Sequence, residues 1–185
     1  MAMMKAKYSR KALIIFSIIA ILSQLFVSPV LCKSDKQTPF LASFTGSVTT
    51  FDVIPINDKL ARFHLVTIGS VVSGDFGGAK VTIDEEMLLH LRDGIGLSQG
   101  SFTVEVTLPP DQGGYCLGSI FVSFVATVRG SLTFEGHFQI VGGTGLFEKI
   151  KGYGTITGTA DRMPSLGGIP PQVDGTVMGN YWLSS

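Results

Sequence analysis

The most informative stretch of this 185-residue chain is Gly142-Gly-Thr-Gly-Leu-Phe-Glu-Lys-Ile-Lys-Gly-Tyr-Gly-Thr-Ile-Thr-Gly-Thr-Ala160. A glycine-rich turn at residues 142–145 precedes a run in which Gly152, Gly154 and Gly158 fall on one face of a strand. Glycine weakens a strand interior, so glycines repeated on one face indicate close backbone approach or sharp curvature. A small, strongly curved β-barrel requires such a strand.

The rest of the chain also has strand character. Its runs are rich in β-branched and aromatic residues, and Gly, Pro, Asn and Asp separate them, which predicts an all-β sandwich or barrel. Residues 84–92 could instead form one or two helical turns, with Met87, Leu88 and Leu91 on an apolar face. The predicted strands are residues 41–54, 60–73, 79–83, 101–108, 118–129, 131–141, 151–160 and 173–183.

Apolar residues occupy one face of each of several predicted strands. One apolar face per strand is what a single closed or nearly closed sheet needs. In residues 132–140, this face opposes a polar row that contains Glu135 and His137. The side chains predicted to be buried are Phe102, Val104, Val106, Phe124, Phe134 and Phe138.

The N-terminus has the plan of a secretory signal peptide. Four basic residues precede an apolar stretch at residues 12–26, Ser28 and Pro29 end it, and a cleavage site near Cys32 follows. The alternatives are an uncleaved membrane anchor at residues 12–31 and a lipoprotein signal with Cys32 as the acceptor. We expect three segments: a signal peptide at 1–32, a flexible N-terminus at 33–40 and the β domain at 41–185.

Cleavage would change the charge of the protein. The leader holds four of the 14 basic residues and none of the 14 acidic ones, so the formal net charge falls from 0 to −4. A mildly acidic surface suits a secreted protein and argues against nucleic acid as a partner. A membrane partner is expected only if the leader is retained.

Cysteine usage argues against both a disulfide and a catalytic thiol. After cleavage only Cys116 remains, and its neighbours include no histidine or basic residue that would lower its pKa. We interpret Cys116 as a small buried apolar residue. A bridge between Cys32 and Cys116 becomes available only if the leader is retained.

Few residues suggest catalytic or metal chemistry. The three histidines have no metal-ligand spacing, no P-loop or nucleophile elbow is present, and we expect no metal and no cofactor. Glu135 and His137 share a strand face and are the catalytic candidates, as an acid–base pair if they point into a barrel. The alternative is a solvated outer face. Residues 84–86, an acidic run, could bind calcium or form a solvated turn.

The C-terminal third resembles a known family. Gly142-Gly-Thr-Gly-Leu-Phe147 followed by Gly152-x-Gly-x-Ile-x-Gly158 resembles the signature of allene oxide cyclase-like and dirigent-like barrels, and Phe134-Glu-Gly-His-Phe138 and Val173-Asp-Gly-Thr-Val-Met-Gly179 also fit. The resemblance covers residues 131–183. It implies a single eight-stranded antiparallel β-barrel with a central cavity, often assembled as a trimer. No catalytic residue of the family is assigned to this chain, because residues 40–130 share only the general strand character of the family and do not align with its catalytic positions.

Three functions remain open on this basis. The first is an exported barrel that binds a small apolar molecule. The second, implied by the characterised members of the family, is a cyclase, an isomerase or a stereochemical guide for a lipid- or phenol-derived intermediate. The third is a structural envelope protein. A filled interior favours the structural role, whereas a cavity of roughly a few hundred cubic ångströms with one or two carboxylates favours binding or catalysis.

Overall fold

The computed structural model describes residues 36–108, 114–130, 132–162 and 169–184. They form eight antiparallel strands that close into a barrel in chain order. The predicted signal peptide lies outside the described residues, and among those described no helix is long and apolar enough to cross a membrane. The strands are β1 (Thr38–Asn57), β2 (Leu60–Gly74), β3 (Lys80–His90), β4 (Gly96–Thr107), β5 (Cys116–Arg129), β6 (Thr133–Gly143), β7 (Ile150–Ala160) and β8 (Gln172–Leu183).

The eight predicted strands are all present, and β1, β3 and β4 are the ones that most exceed their predicted lengths. β1 begins at Thr38, because residues 38–40 already pair with β8. The helical alternative for residues 84–92 is wrong, since β3 continues to His90. β3 pairs along its length with β2 on one side and with β4 on the other, so a helix here would leave both neighbours without partners.

The glycine face of β7 makes room for large side chains of β6. The register pairs Gly152 with Ile140, Gly154 with Phe138, and Gly158 with Phe134. A Cβ atom at Gly154 would lie 2.7 Å from Phe138 Cζ, and one at Gly158 would overlap the ring of Phe134. The repeated glycines therefore reflect close approach by side chains and backbone, as their spacing predicts.

The turn predicted at residues 142–147 joins β6 to β7. It contains a 3₁₀ helix at Gly145–Phe147. Of its three glycines, Gly145 alone has a positive φ, of 59°. At Gly143, a Cβ atom would lie 2.5 Å from the Phe147 carbonyl oxygen, whereas at Gly142 it would meet nothing within 4 Å. The expectation that all three glycines take positive φ is confirmed at Gly145 and is wrong at Gly142 and Gly143, although Gly143 is required for space.

Replacing Gly145 with valine is expected to lower the free energy of unfolding by about 1–3 kcal/mol. A β-branched residue is strained at this φ, and its Cβ atom would overlap the Leu117 carbonyl oxygen. Denaturant unfolding of the variant measures the effect. Gly142→Val, in the same turn but with open space and an ordinary φ, is the control. Equal midpoints for the two variants would contradict the conformational requirement at Gly145.

Aromatic side chains fill one end of the barrel. The Phe40 ring centroid lies 5.9 Å from that of Phe138, 6.0 Å from that of Tyr181 and 6.4 Å from that of Phe76. Phe102 contacts Phe138 with centroids 6.3 Å apart. We call this the aromatic end. Tyr181 thus helps to fill this end of the barrel. The opposite end contains a cavity, and we call it the cavity end.

The predicted core lies inside the barrel. Four of the six side chains predicted to be buried, Phe102, Val104, Phe124 and Phe138, are so. Val106 and Phe134 are only partly buried and pack against the core from its margins. Phe134 is more accessible because it borders the cavity described next.

Candidate functional site

A small cavity lies inside the barrel, at the end opposite the aromatic end. Its volume is about 70 Å³. Its wall is almost entirely apolar, because alternate residues of all eight strands point inward. Of the described residues that line it, Glu85 and Arg162 carry charged groups. The apolar lining includes Phe44, Val48, Leu65, Ile83, Met87, Leu89, Phe124, Ala126, Val128, Leu132, Phe134, Ile156 and Val173.

Glu85 occupies an apolar position in the pattern of β3. The inward row of this strand reads Val81, Ile83, Glu85, Met87 and Leu89, so a carboxyl group stands where the alternation calls for a hydrocarbon side chain. The residue opposite Glu85 on β4 is Gly100, whose absent side chain leaves room for it. A Cβ atom at Gly100 would lie 2.8 Å from Glu85 Cα.

In the described part of the chain, the Glu85 carboxyl group has one hydrogen-bond partner. Ser98 Oγ, on the inner face of β4, donates a hydrogen bond to Glu85 Oε2 at 2.6 Å. Ser98 is itself buried. Burial raises the pKa of Glu85 above its ordinary value, and the hydrogen bond from Ser98 offsets part of this. A raised pKa extends the pH range in which the carboxyl group is neutral, and a neutral carboxyl group is a hydrogen-bond donor as well as an acceptor.

The mouth of the cavity carries a charged pair just after β7. Arg162 Nη2 lies 2.6 Å from Asp161 Oδ2. Asp161 Oδ1 accepts a hydrogen bond from the backbone N–H of Gln172 at 2.9 Å, which ties this segment to β8. The hydrogen bond from Arg162 is the main cause that lowers the pKa of Asp161. Arg162 is thus a paired, exposed cation at the rim of an apolar cavity.

The candidates named from the sequence lie elsewhere. Glu135 and His137 are exposed on the outer face of β6, and neither lines the cavity. Glu135 instead pairs with Arg129, with Nη2 and Oε1 2.5 Å apart. His64 is also on the outside, where its Nε2 lies 2.8 Å from Asp84 Oδ1.

The acidic run at residues 84–86 is neither a turn nor a cluster. It lies within β3, so its side chains alternate between the two faces of the sheet. Asp84 and Glu86 are exposed, and Glu85 points into the barrel. The sequence interpretation missed Glu85 because it grouped three neighbouring carboxylates. The apolar alternation at residues 81, 83, 87 and 89 is the signal that could have separated them.

Two further expectations concern cysteine and metal. Cys116 was expected to be buried, and that is wrong: it is exposed at the start of β5, beyond the region where the inner face is enclosed. Within the described parts of the chain, no group of three or more His, Cys, Asp and Glu side chains could hold a metal ion.

The fold and the cavity define a class, the closed antiparallel β-barrel with an internal cavity. Among solved structures, the chain matches that of the pterocarpan synthase dirigent protein GePTS1, a member of the dirigent-like group that its sequence resembles. The identity is 14%, the TM-score is 0.42, and the match covers 81% of this chain and 87% of that chain. At this identity and TM-score the match is a likeness in fold and carries no information on activity. No protein-family model and no curated protein matches the chain.

Proposed function

We propose that this protein is an exported barrel that binds one small, mostly apolar molecule in the cavity beside Glu85. The observation that supports the proposal is a carboxyl group placed in an otherwise apolar cavity. Burying a carboxyl group is costly unless its polar atoms are paired. A barrel interior selected only for stability would carry a hydrocarbon side chain at this position, as at residues 83 and 87.

The size of the cavity limits the ligand. About 70 Å³ is well below the roughly 300–1,000 Å³ of drug-sized pockets. An apolar cavity that admits benzene has about 150 Å³. A ligand with one aromatic ring therefore enters only if lining side chains move, or one end of a longer molecule enters while the rest extends past Arg162. Met87 and Phe134 line the cavity and are only partly buried, so their side chains are the ones that can move to enlarge it.

Export and assembly belong to the same proposal. Export rests on the basic and apolar leader at residues 1–32. A homotrimer rests on the family resemblance. Exposed apolar side chains on the outer face, such as Leu41, Tyr153 and Met178, are compatible with contacts between copies. N-terminal sequencing of secreted protein tests the first, and light scattering tests the second.

The binding proposal can be tested with α-methylstyrene, a neutral hydrocarbon with one aromatic ring. We expect saturable changes in the methyl NMR signals of Ile83 and Leu89, which line the cavity, and none at Val72, which is exposed on the outer face. Ala160→Phe, at the mouth, should abolish these changes by filling the space.

The outer-face variants Glu135→Gln and His137→Ala are the matched controls, and both should bind the probe as the wild type does. Loss of binding in either one, with unchanged thermal stability, would move the site to the outer face of β6. No change at the cavity methyl groups up to the solubility limit of the probe would contradict the proposal.

A second candidate is an isomerase, a cyclase or a stereochemical guide. The observation that favours it is the position of the Glu85 carboxyl group in an apolar cavity, where burial raises its pKa, because the protonated form of such a group can act as a general acid. Such a reaction needs little other side-chain chemistry, since a shaped cavity supplies orientation. Turnover of a cyclisable substrate that is lost in Glu85→Gln, with binding retained, would distinguish this function from binding alone.

A further inference from the structure

We propose that the ligand of this cavity carries a neutral hydrogen-bond acceptor, a carbonyl or ether oxygen, which pairs with the Glu85 carboxyl group through the oxygen that Ser98 does not contact. The inference rests on the proposed binding function and specifies the class of molecule that the cavity takes. It excludes ligands that place a cationic or anionic group inside the barrel.

The first support is the unequal pairing of the two Glu85 oxygens. Oε2 accepts the hydrogen bond from Ser98. Oε1 has no hydrogen-bond or ion-pair partner among the described residues. Among the described residues, every fully buried side-chain oxygen or nitrogen has a hydrogen-bond partner. Because Oε1 has none, it is not fully buried. Because Glu85 lines the cavity, the accessible part of its carboxyl group faces the space that a ligand would occupy.

The second support is that, among the described residues, no cation forms an ion pair with this carboxyl group. Leu65 of β2 and Gly100 of β4 lie beside it in the sheet, and Phe124 of β5 lines the same cavity. The cation at the mouth, Arg162, is paired with Asp161. The other acids of this stretch, Asp84 and Glu86, point to the opposite face of β3, where Asp84 pairs with His64.

The protonation state follows from these surroundings. An ionised Glu85 would stand in an apolar cavity with one hydrogen bond and no counter-charge, which raises its pKa. In the protonated form, the Ser98 hydroxyl still donates to Oε2, and the acid proton on Oε1 is directed to the cavity. The site is therefore a single hydrogen-bond donor in an apolar wall. Its complement is a neutral acceptor on an apolar body.

Two probes of nearly the same shape test this recognition. Acetophenone has a C=O group where α-methylstyrene has C=CH₂. Methyl NMR titration gives the affinity of each probe, and the preference is the affinity for acetophenone divided by that for α-methylstyrene. We expect this preference to be about tenfold larger in the wild type than in Glu85→Leu, since one hydrogen bond is worth about this factor. Glu85→Gln keeps an N–H donor and should retain most of the preference.

The pH dependence provides a second measurement. As the pH rises through the raised pKa of Glu85, the wild-type preference for acetophenone should fall, whereas that of Glu85→Gln should stay constant. Without ligand, the folded protein keeps a proton that the unfolded chain loses. Wild-type stability should therefore decline from the ordinary glutamate pKa up to the raised one and then level off. This decline should be absent in Glu85→Gln.

Several results would overturn the inference. An affinity ratio that is the same in the wild type and Glu85→Leu would leave the binding function intact and remove the role of Glu85. Tighter wild-type binding of 1-phenylethylamine, a cation of similar shape, than of acetophenone at neutral pH would make Glu85 a counter-ion instead. Failure of both neutral probes to bind would contradict the proposed function, and this inference with it.

Discussion

Replacing Phe138 with alanine is expected to lower the free energy of unfolding by about 3–5 kcal/mol. The ring is buried at the aromatic end, with centroids 5.9 Å from Phe40 and 6.3 Å from Phe102. Its partner across the β6–β7 pair is Gly154, which has no side chain to fill the space that the ring leaves. Denaturant unfolding of the variant measures the loss.

The matched control for this prediction is Phe121→Ala. Phe121 lies on β5 with 38% of its surface exposed, on the outer face of the barrel. Its removal should cost about 1 kcal/mol or less, since the ring is already in contact with solvent. Similar losses for Phe121 and Phe138 would mean that the aromatic end does not form one packed cluster.

Replacing Gly158 with valine is expected to lower the free energy of unfolding by about 3 kcal/mol, at the upper end of what overpacking costs. The new Cβ atom would overlap both the ring of Phe134 and the carbonyl oxygen of Asp174. The ring can move, but the carbonyl oxygen belongs to the backbone of β8 and cannot. Thr157→Val, one residue earlier on the exposed face, is the control and should change stability little.

A double variant separates the two overlaps at Gly158. Phe134→Ala removes the ring, so adding it to Gly158→Val should recover part of the stability that valine costs. The overlap with Asp174 remains, and recovery should therefore be incomplete. If Gly158→Val leaves the wild-type unfolding midpoint unchanged, the glycine face of β7 is not required for packing.

The barrel class was predictable because its signals are local. Strand alternation, turn residues and the glycine face of β7 each follow from a few neighbouring positions, and all eight predicted strands occur. The helical alternative at residues 84–92 also came from a local pattern of neighbouring residues. Met87, Leu88 and Leu91 fit a helical spacing, and only pairing with β2 and β4 selects the strand.

The candidate site was not predictable in the same way. Glu135 and His137 were chosen because two residues of suitable chemistry share a strand face. Which face points inward is decided by Phe134 and Phe138, whose rings fit over the glycines of β7. Glu85 was overlooked because a single carboxyl group has no motif. Its position becomes informative only when the inward row of β3 and the facing Ser98 are known.

The amino-acid sequence by itself determined the strands, the turn at Gly145 and the small residues that let β6 and β7 approach, because these depend on backbone preferences and on steric size. The tertiary structure alone decided which face is internal and which carboxyl group is enclosed. Closure of the sheet brings side chains from all eight strands around one cavity. A carboxyl group acquires a raised pKa there through burial by residues that are distant from it in the chain.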